Sequence, residues 1–272
     1  MYSSCIPLLL LGLLCTQHAV AWGSLGHRVT GHIAESMLTP HAARQVQQLL
    51  GEEPLPAAAT YMDTQRKNLS ERWPAAERWH YDNRPVCSRE TGYCRDGNCA
   101  TRQIDQFRTV LADTTRSRDE RALALRLLLH MLGDVHQPLH MADNADRGGN
   151  DLNVRLHAGG QRYRLHEVLD TVLLRELMGR QRIGAYASSL RQRYSAQLRG
   201  WQQGNLQTWT QQTHQLAVTR TYGALPAFAC GNRINQTITL PDSYVQDARH
   251  YLPEQLARAG ARIAAVLNAT LK

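Results

Sequence analysis

Residues 122–140 read ALALRLLLHMLGDVHQPLH. From Ala122 to Leu132 the stretch is apolar almost all round, and a helix of that kind belongs at the centre of a fold rather than on its surface. Pro138 can neither continue a helix nor leave its predecessor comfortably helical, so the helix is predicted over 118–137. Within this apolar run sit His130 and Asp134, four apart. At about 100° per residue their side chains share one face. A lone carboxylate buried there would be costly, and a cation beside it removes the difficulty. His140, just past Pro138, can turn back toward the helix end.

Outward from this block, HEVLD repeats the spacing with His166 and Asp170. Such pairs on facing helices build metal sites in bundle cores. Imidazole and carboxylate suit zinc, and neither block offers a soft thiolate. A single histidine is more often an ordinary hydrogen-bonded residue, but two spaced pairs together with His140 favour a metal. Further helices are predicted over 25–38, 41–50, 101–114, 165–178, 184–200, 203–219 and 242–270, the last kinked or broken at Pro253. LNVRL and QRYRL alternate around His157-Ala158-Gly159-Gly160 and predict a small hairpin between Leu152 and Leu165. Residues 82–100 read as an irregular loop tied by cysteines. The fold class is therefore all-α, with one small β-hairpin. No linker-like stretch or repeat divides the chain, so residues 22–272 are expected to form one domain.

Residues 1–21 read as a signal peptide. The apolar run Ile6–Leu14 is too short to span a bilayer, and Ala19-Val20-Ala21 is a small-x-small cleavage site. Cleavage there makes Trp22 the new N-terminus and sends the chain out of the cytoplasm, to the periplasm or the exterior; a buried N-terminal helix is the alternative. No later segment is apolar enough to cross a membrane. Residues 1–21 carry no Lys, Arg, Asp or Glu, so the formal charge of +8 belongs entirely to residues 22–272. That charge suits polyanions such as nucleic acid or an anionic surface. Two cysteines leave with the leader, and Cys87, Cys94, Cys99 and Cys230 remain. An even count in an exported chain suggests two disulfides. Cys94 and Cys99 fit a small loop, which leaves Cys87 and Cys230 to close a long one worth roughly 3–5 kcal/mol. A cysteine-rich metal site is the alternative, although the spacing is unlike a zinc finger.

Five blocks together, Trp22-Gly23-x-x-Gly26-His27, Asp63 ahead of Trp79-His80-Tyr81, HMLGDVHQPLH, DRGGND at 146–151 and HEVLD, resemble the type I (S1/P1) nucleases. These are zinc-dependent single-strand nucleases and 3′-nucleotidases. The resemblance runs from Trp22 over nearly the whole remaining chain. It implies a phospholipase C- and nuclease-like helical fold around three zinc ions. Asp63, His80, His130 and Asp134 would hold one ion. His27, Asp134 as a bridge, and the freed amine and carbonyl of Trp22 would hold a second. His140, His166 and Asp170 would hold the third. Asp63, Asp134 and Arg66 would serve catalysis, Arg66 by steadying the transition-state phosphate. Tyr81 would stack an unpaired base, Asn83 would read its edge, and Asn150 and Asp151 would line the same pocket.

The expected activity is hydrolysis of single-stranded DNA and RNA to 5′-phosphate products, and of 3′-nucleotides, by an enzyme that is a monomer. Zinc-dependent phospholipase C is the nearest rival, but those enzymes carry Glu where this chain has Asp170. A secreted zinc-binding protein without catalysis is the other. The chain departs from the family pattern at Tyr61-Met62, where Trp-Ala is usual, and at Leu169, where Trp is usual. Sequons at Asn68, Asn235 and Asn268 permit glycosylation in a host that can perform it.

Overall fold

A computed structural model describes residues 22–88 and 94–272. The predicted signal peptide and part of the predicted 82–100 loop lie outside the described residues. The chain is mostly helical. Helices α1 (Ser24–Glu35) and α2 (Pro40–Leu50) are followed by three short ones, α3 (Leu55–Ala58), α4 (Tyr61–Thr64) and α5 (Arg66–Arg72). A 3₁₀ turn, Ala76–His80, leads towards α6 (Ala100–Ala112) and α7 (Arg118–Asp134). Strands β1 (Asn153–Arg155) and β2 (Arg162–Arg164) precede α8 (Leu165–Glu167), a π-helical turn (Val168–Val172) and α9 (Leu173–Met178). Then come α10 (Ile183–Arg193), α11 (Ser195–Trp201), α12 (Leu206–Leu216) with a π-helical continuation (Ala217–Tyr222), β3 (Ile238–Thr239) and α13 (Asp242–Thr270).

Helix α7 is the central element that its composition demands, and every residue from Leu127 to Asp134 is buried. It packs on α6, α13, α4 and α1. Its start is set by a capping box. The Ser117 hydroxyl accepts from the Glu120 amide at 3.2 Å, and the Glu120 carboxylate accepts from the Ser117 amide at 3.0 Å. It ends at Asp134, three residues before the predicted end, because the Val135 and His136 amides bond back to Met131 and Gly133 and the chain then turns into a 3₁₀ segment, Pro138–His140. That early turn is what brings His140 back beside Asp134.

Other departures are also local. The predicted helix 184–200 is divided at Tyr194 into α10 and α11. Helix α13 runs through Pro253 without a break. The predicted hairpin is present, with Val154 opposite Tyr163, and β1 also pairs in parallel with β3, Val154 opposite Ile238. Two residues of β3 hold no alternation long enough to be read in advance.

Buried apolar side chains form two clusters. One gathers α2, α3, α6 and most of α7; the other gathers α9, α10, the small sheet and the first half of α13. Met62 and Leu169, which stand where the expected pattern has Ala and Trp, are both buried in these clusters. The polar side chains of interest lie along the seam between them.

Candidate metal centre

Each histidine of the predicted set is delivered by a different device. His27 lies on α1 and is wholly buried, stacked on the His130 ring at a centroid distance of 3.7 Å. Gly133 makes room for it: a Cβ added there would stand 2.9 Å from His27 Nδ1. His130 and Asp134 project from one face of α7 as their spacing requires. His80 closes the 3₁₀ turn before the extended Tyr81. His166 and Asp170 share a face across the junction of α8 with the π-turn, a widened helical turn of the kind that recurs at functional sites.

The result is three contiguous groups: His27, Asp63 and His130; His80, His130 and Asp134; His140, His166 and Asp170. Within each, the ligand-capable atoms lie within 4.8 Å of one another. Asp134 joins them. Its Oδ2 is 3.1 Å from His80 Nδ1 and 3.4 Å from His130 Nε2, while its Oδ1 is 3.2 Å from His27 Nε2. One carboxylate thus faces two groups with different oxygens. Trp22 is fully buried, and its indole N–H donates to the Gly133 carbonyl at 2.9 Å, so residue 22 is tied to the turn of α7 that carries Asp134.

The hydrogen bonds fix which ring nitrogens carry lone pairs. His130 Nδ1 donates to the Ala59 carbonyl, His140 Nδ1 to that of His80, and His166 Nδ1 to that of Gly148. Their Nε2 atoms are left as acceptors facing inward. His140 Nε2 and His166 Nε2 stand 3.1 Å apart. Burial pushes His27 and His80 well below the usual range, His130 to about 3 and His140 to about 4, whereas at His166 burial is outweighed by the Asp170 carboxylate, which raises it. Burial also raises Asp134 well above the usual carboxylate range and Asp63 to about 7. Oxygens of Asp63, Asp134 and Asp170 and both nitrogens of His27 have no hydrogen-bond partner. Acceptors converging without donors are what a divalent cation satisfies, so these residues fit metal.

Arg66 opens α5, and its charge acts on Asp63, His80, His130 and Asp134. Tyr81 follows His80 and is half-buried. Asn83 takes a left-handed backbone (φ 48°) and donates its amide to the His140 carbonyl at 3.3 Å. Asn150 hydrogen-bonds the Arg147 carbonyl, and the Asp151 carboxylate is paired with Arg147 at 3.5 Å and Arg233 at 2.9 Å. Cysteines pair as Cys87–Cys230 and Cys94–Cys99, which removes the cysteine metal site. Gln137 was not singled out in the sequence. Buried beside the centre, its amide N–H₂ donates to Asp170 and its carbonyl accepts from the Leu139 amide. Its place between two ligand positions in HMLGDVHQPLH is the signal that could have found it. His136 points the other way, accepting from Arg262 at 3.0 Å.

Residues 22–272 match the S1/P1 nuclease family over their whole length. The chain belongs to the S1/P1 nuclease family. It is 28% identical over 266 residues to nuclease PA3 of Penicillium sp. and to nuclease P1 of Penicillium citrinum, covering 91% of this chain and 97% of each relative. It is 26% identical over 282 residues to nuclease S1 of Aspergillus oryzae, covering 97% of this chain and 96% of the relative. As an S1/P1 nuclease the protein is a hydrolase of phosphodiester bonds. No helix among its described residues is long and apolar enough to cross a membrane.

Proposed function

We propose that residues 22–272 form one exported, monomeric, zinc-dependent endonuclease that hydrolyses single-stranded DNA and RNA to 5′-phosphate products and dephosphorylates 3′-nucleotides. The three contiguous His/Asp groups carry this reading. In it, Asp63, His80, His130 and Asp134 hold one zinc. His27, Asp134 and the amine and carbonyl of Trp22 hold a second, and His140, His166 and Asp170 hold a third. The family match opening at Trp22 supports cleavage after Ala21, and the two disulfides suit an oxidising compartment.

Zinc in these groups supplies positive charge for phosphoryl oxygens and lowers the pKa of water to about 7. Three divalent ions against three carboxylates leave the pocket cationic, which suits a phosphate. The chain's own residues do the rest. Asp63 orients the attacking water and takes up its hydrogen bond. Arg66 donates to the non-bridging phosphoryl oxygens as charge grows on them. Tyr81 stacks an unpaired base, an interaction worth roughly 1–3 kcal/mol, while Asn83 reads the base edge and Asn150 and Asp151 line that pocket. A duplex cannot splay its bases beside so deeply set a centre, which accounts for single-strand preference.

The test is to incubate the protein beginning at Trp22 with single- and double-stranded DNA, RNA, 3′-AMP and lecithin, with and without chelator, alongside zinc analysis. Chelator-sensitive cleavage of the single strands and 3′-AMP, with three zincs per chain, is expected. Hydrolysis of lecithin alone, or zinc binding without hydrolysis, would overturn the reading.

A further inference from the structure

Beside the third His/Asp group lies a cluster of arginines that the proposed chemistry leaves unused. The loop 143–151 is held stiffly. The Asp143 carboxylate accepts from the Asp146 and Gly148 amides at 3.1 and 2.9 Å, and Asp146 accepts from the Gly149 amide and from the Tyr222 hydroxyl. The loop's Gly148 carbonyl accepts a hydrogen bond from His166 Nδ1 at 2.7 Å, which fixes the loop to a candidate ligand. A second segment, 229–233, is bound to the first by buried Asn144. That side chain accepts from the Gly231 amide and donates to the Asn232 carbonyl, and the Cys87–Cys230 bond ties the same segment down.

From these two segments and β2, three guanidinium groups meet on the adjacent residues Asn150 and Asp151. Arg147 and Arg233 both pair with Asp151, and Arg164 donates to the Asn150 carbonyl. One oxygen of Asp143 and one of Asp146 accept from the loop's own amides and from Tyr222, and among the described residues Asp151 is the acid paired with both Arg147 and Arg233. The Arg147 and Arg233 side chains are 75% and 46% exposed. Exposed ion pairs contribute about 0–1 kcal/mol, too little to explain gathering two like charges on one acid with a third on the neighbouring carbonyl. Arg147 also holds a left-handed backbone (φ 57°), which a non-glycine residue adopts at a cost. Each guanidinium has five donors, and Asp151 or Asn150 occupies only part of each fork. What remains is a set of guanidinium donors held on one loop and exposed to solvent. It lies next to His166 on one side and acts on the Tyr81 hydroxyl, through Arg147, on the other.

We infer that Arg147, Arg164 and Arg233, gathered on Asn150 and Asp151, form a rim that grips backbone phosphates of a single nucleic-acid strand beside the phosphate being cleaved. This rests on the nuclease reading above. The rim gives the enzyme a preference for strands over mononucleotides that the pocket alone would not supply.

The test compares the zinc-loaded protein with R147A/R233A and R147K/R233K on denatured DNA and on 3′-AMP, over a salt series, with zinc content measured for each. The alanine pair should keep its zinc. It should raise KM for DNA at least about tenfold at low salt, several times more than for 3′-AMP. It should also flatten the slope of log(kcat/KM) for DNA against log salt by roughly 1.4, about 0.7 for each lost phosphate contact. The lysine pair should keep most of that slope, which a purely structural role would not restore. An unchanged slope in the alanine pair, or equal losses on both substrates, overturns the rim while leaving the nuclease reading intact. If the unmodified protein cleaves neither substrate, the nuclease reading fails and the rim with it.

Discussion

Asp134 has the most to do of any side chain in the centre, because its two oxygens face different groups. Asp134→Ala is expected to abolish hydrolysis and to lower bound zinc by two ions, whereas His166→Ala lowers it by one; metal analysis of the purified variants distinguishes them. Gln137 acts one step further out. By donating to Asp170 Oδ1 it leaves Oδ2, 3.0 Å from His166 Nε2, turned toward the third group. Gln137→Leu keeps the volume and removes the donor. It should weaken zinc at that group by about 10–100-fold, read by titration with a competing chelator. Trp22 offers a test of another kind. Protein retaining Ala21 has an amide where a free amine is needed, and its zinc content should fall from three toward two. Three zincs with full activity in that protein would falsify the terminal-amine role.

The elements show where those side chains get their precision. Helix α7 depends on its capping box, and Ser117→Ala should cost about 1 kcal/mol of stability, measured by denaturant unfolding. Glu120, held below its ordinary range by hydrogen bonds from the Ser117 amide and hydroxyl and from Arg116, contributes stability above its unfolded-state pKa. That contribution is lost as pH falls through the lower folded-state value. The difference in midpoint between the wild type and Glu120→Gln should therefore shrink as pH falls through and below the usual glutamate range. In the loop after the 3₁₀ turn, Gly148 has a φ of +61°, and an added Cβ would meet the Leu139 carbonyl oxygen at 2.5 Å. Gly148→Ala must displace the carbonyl that holds His166, so zinc affinity should fall together with thermal stability. These positions were legible to different degrees. The i, i+4 pairs on α7 and on HEVLD can be read from spacing alone, since helical geometry converts it directly into a shared face. The short helices between Leu55 and Arg72 could not, because four-residue segments have too few positions to display a period.

Across the whole molecule, the centre sits in a seam between two apolar clusters, with candidate ligands drawn from α1, α4, α7 and α8 and from the turns between them. Zinc that binds only the folded chain should stabilise it, by about 4 kcal/mol for each site held at a thousandfold excess over its dissociation constant. A chelator should lower the melting temperature accordingly, and to a smaller extent in Asp134→Ala. The Cys87–Cys230 bond closes a separation of 143 residues, for which chain entropy predicts about 5 kcal/mol. Removing it as Cys87→Ser/Cys230→Ser should lower the unfolding midpoint far more than removing Cys94–Cys99, whose separation is 5 residues.

Residue order alone was enough for the helical class, the central helix, the metal-suited pairs and the pairing of the cysteines. The first three depend on separations of a few residues or on composition, which local geometry carries without reference to the rest of the fold; Cys87–Cys230, 143 residues apart, follows only as what the short Cys94–Cys99 loop leaves over. Folding in three dimensions was needed to bring Asp63, Trp22 and His27 against α7, to give Asp134 two faces, to aim the outer ring nitrogens at backbone carbonyls and to place Gln137 on Asp170. It also hung Arg164 and Arg233 on the short loop that carries Arg147. Those contacts join residues from 14 to 111 positions apart, and no periodicity in a chain encodes which distant backbone carbonyl a buried imidazole will meet.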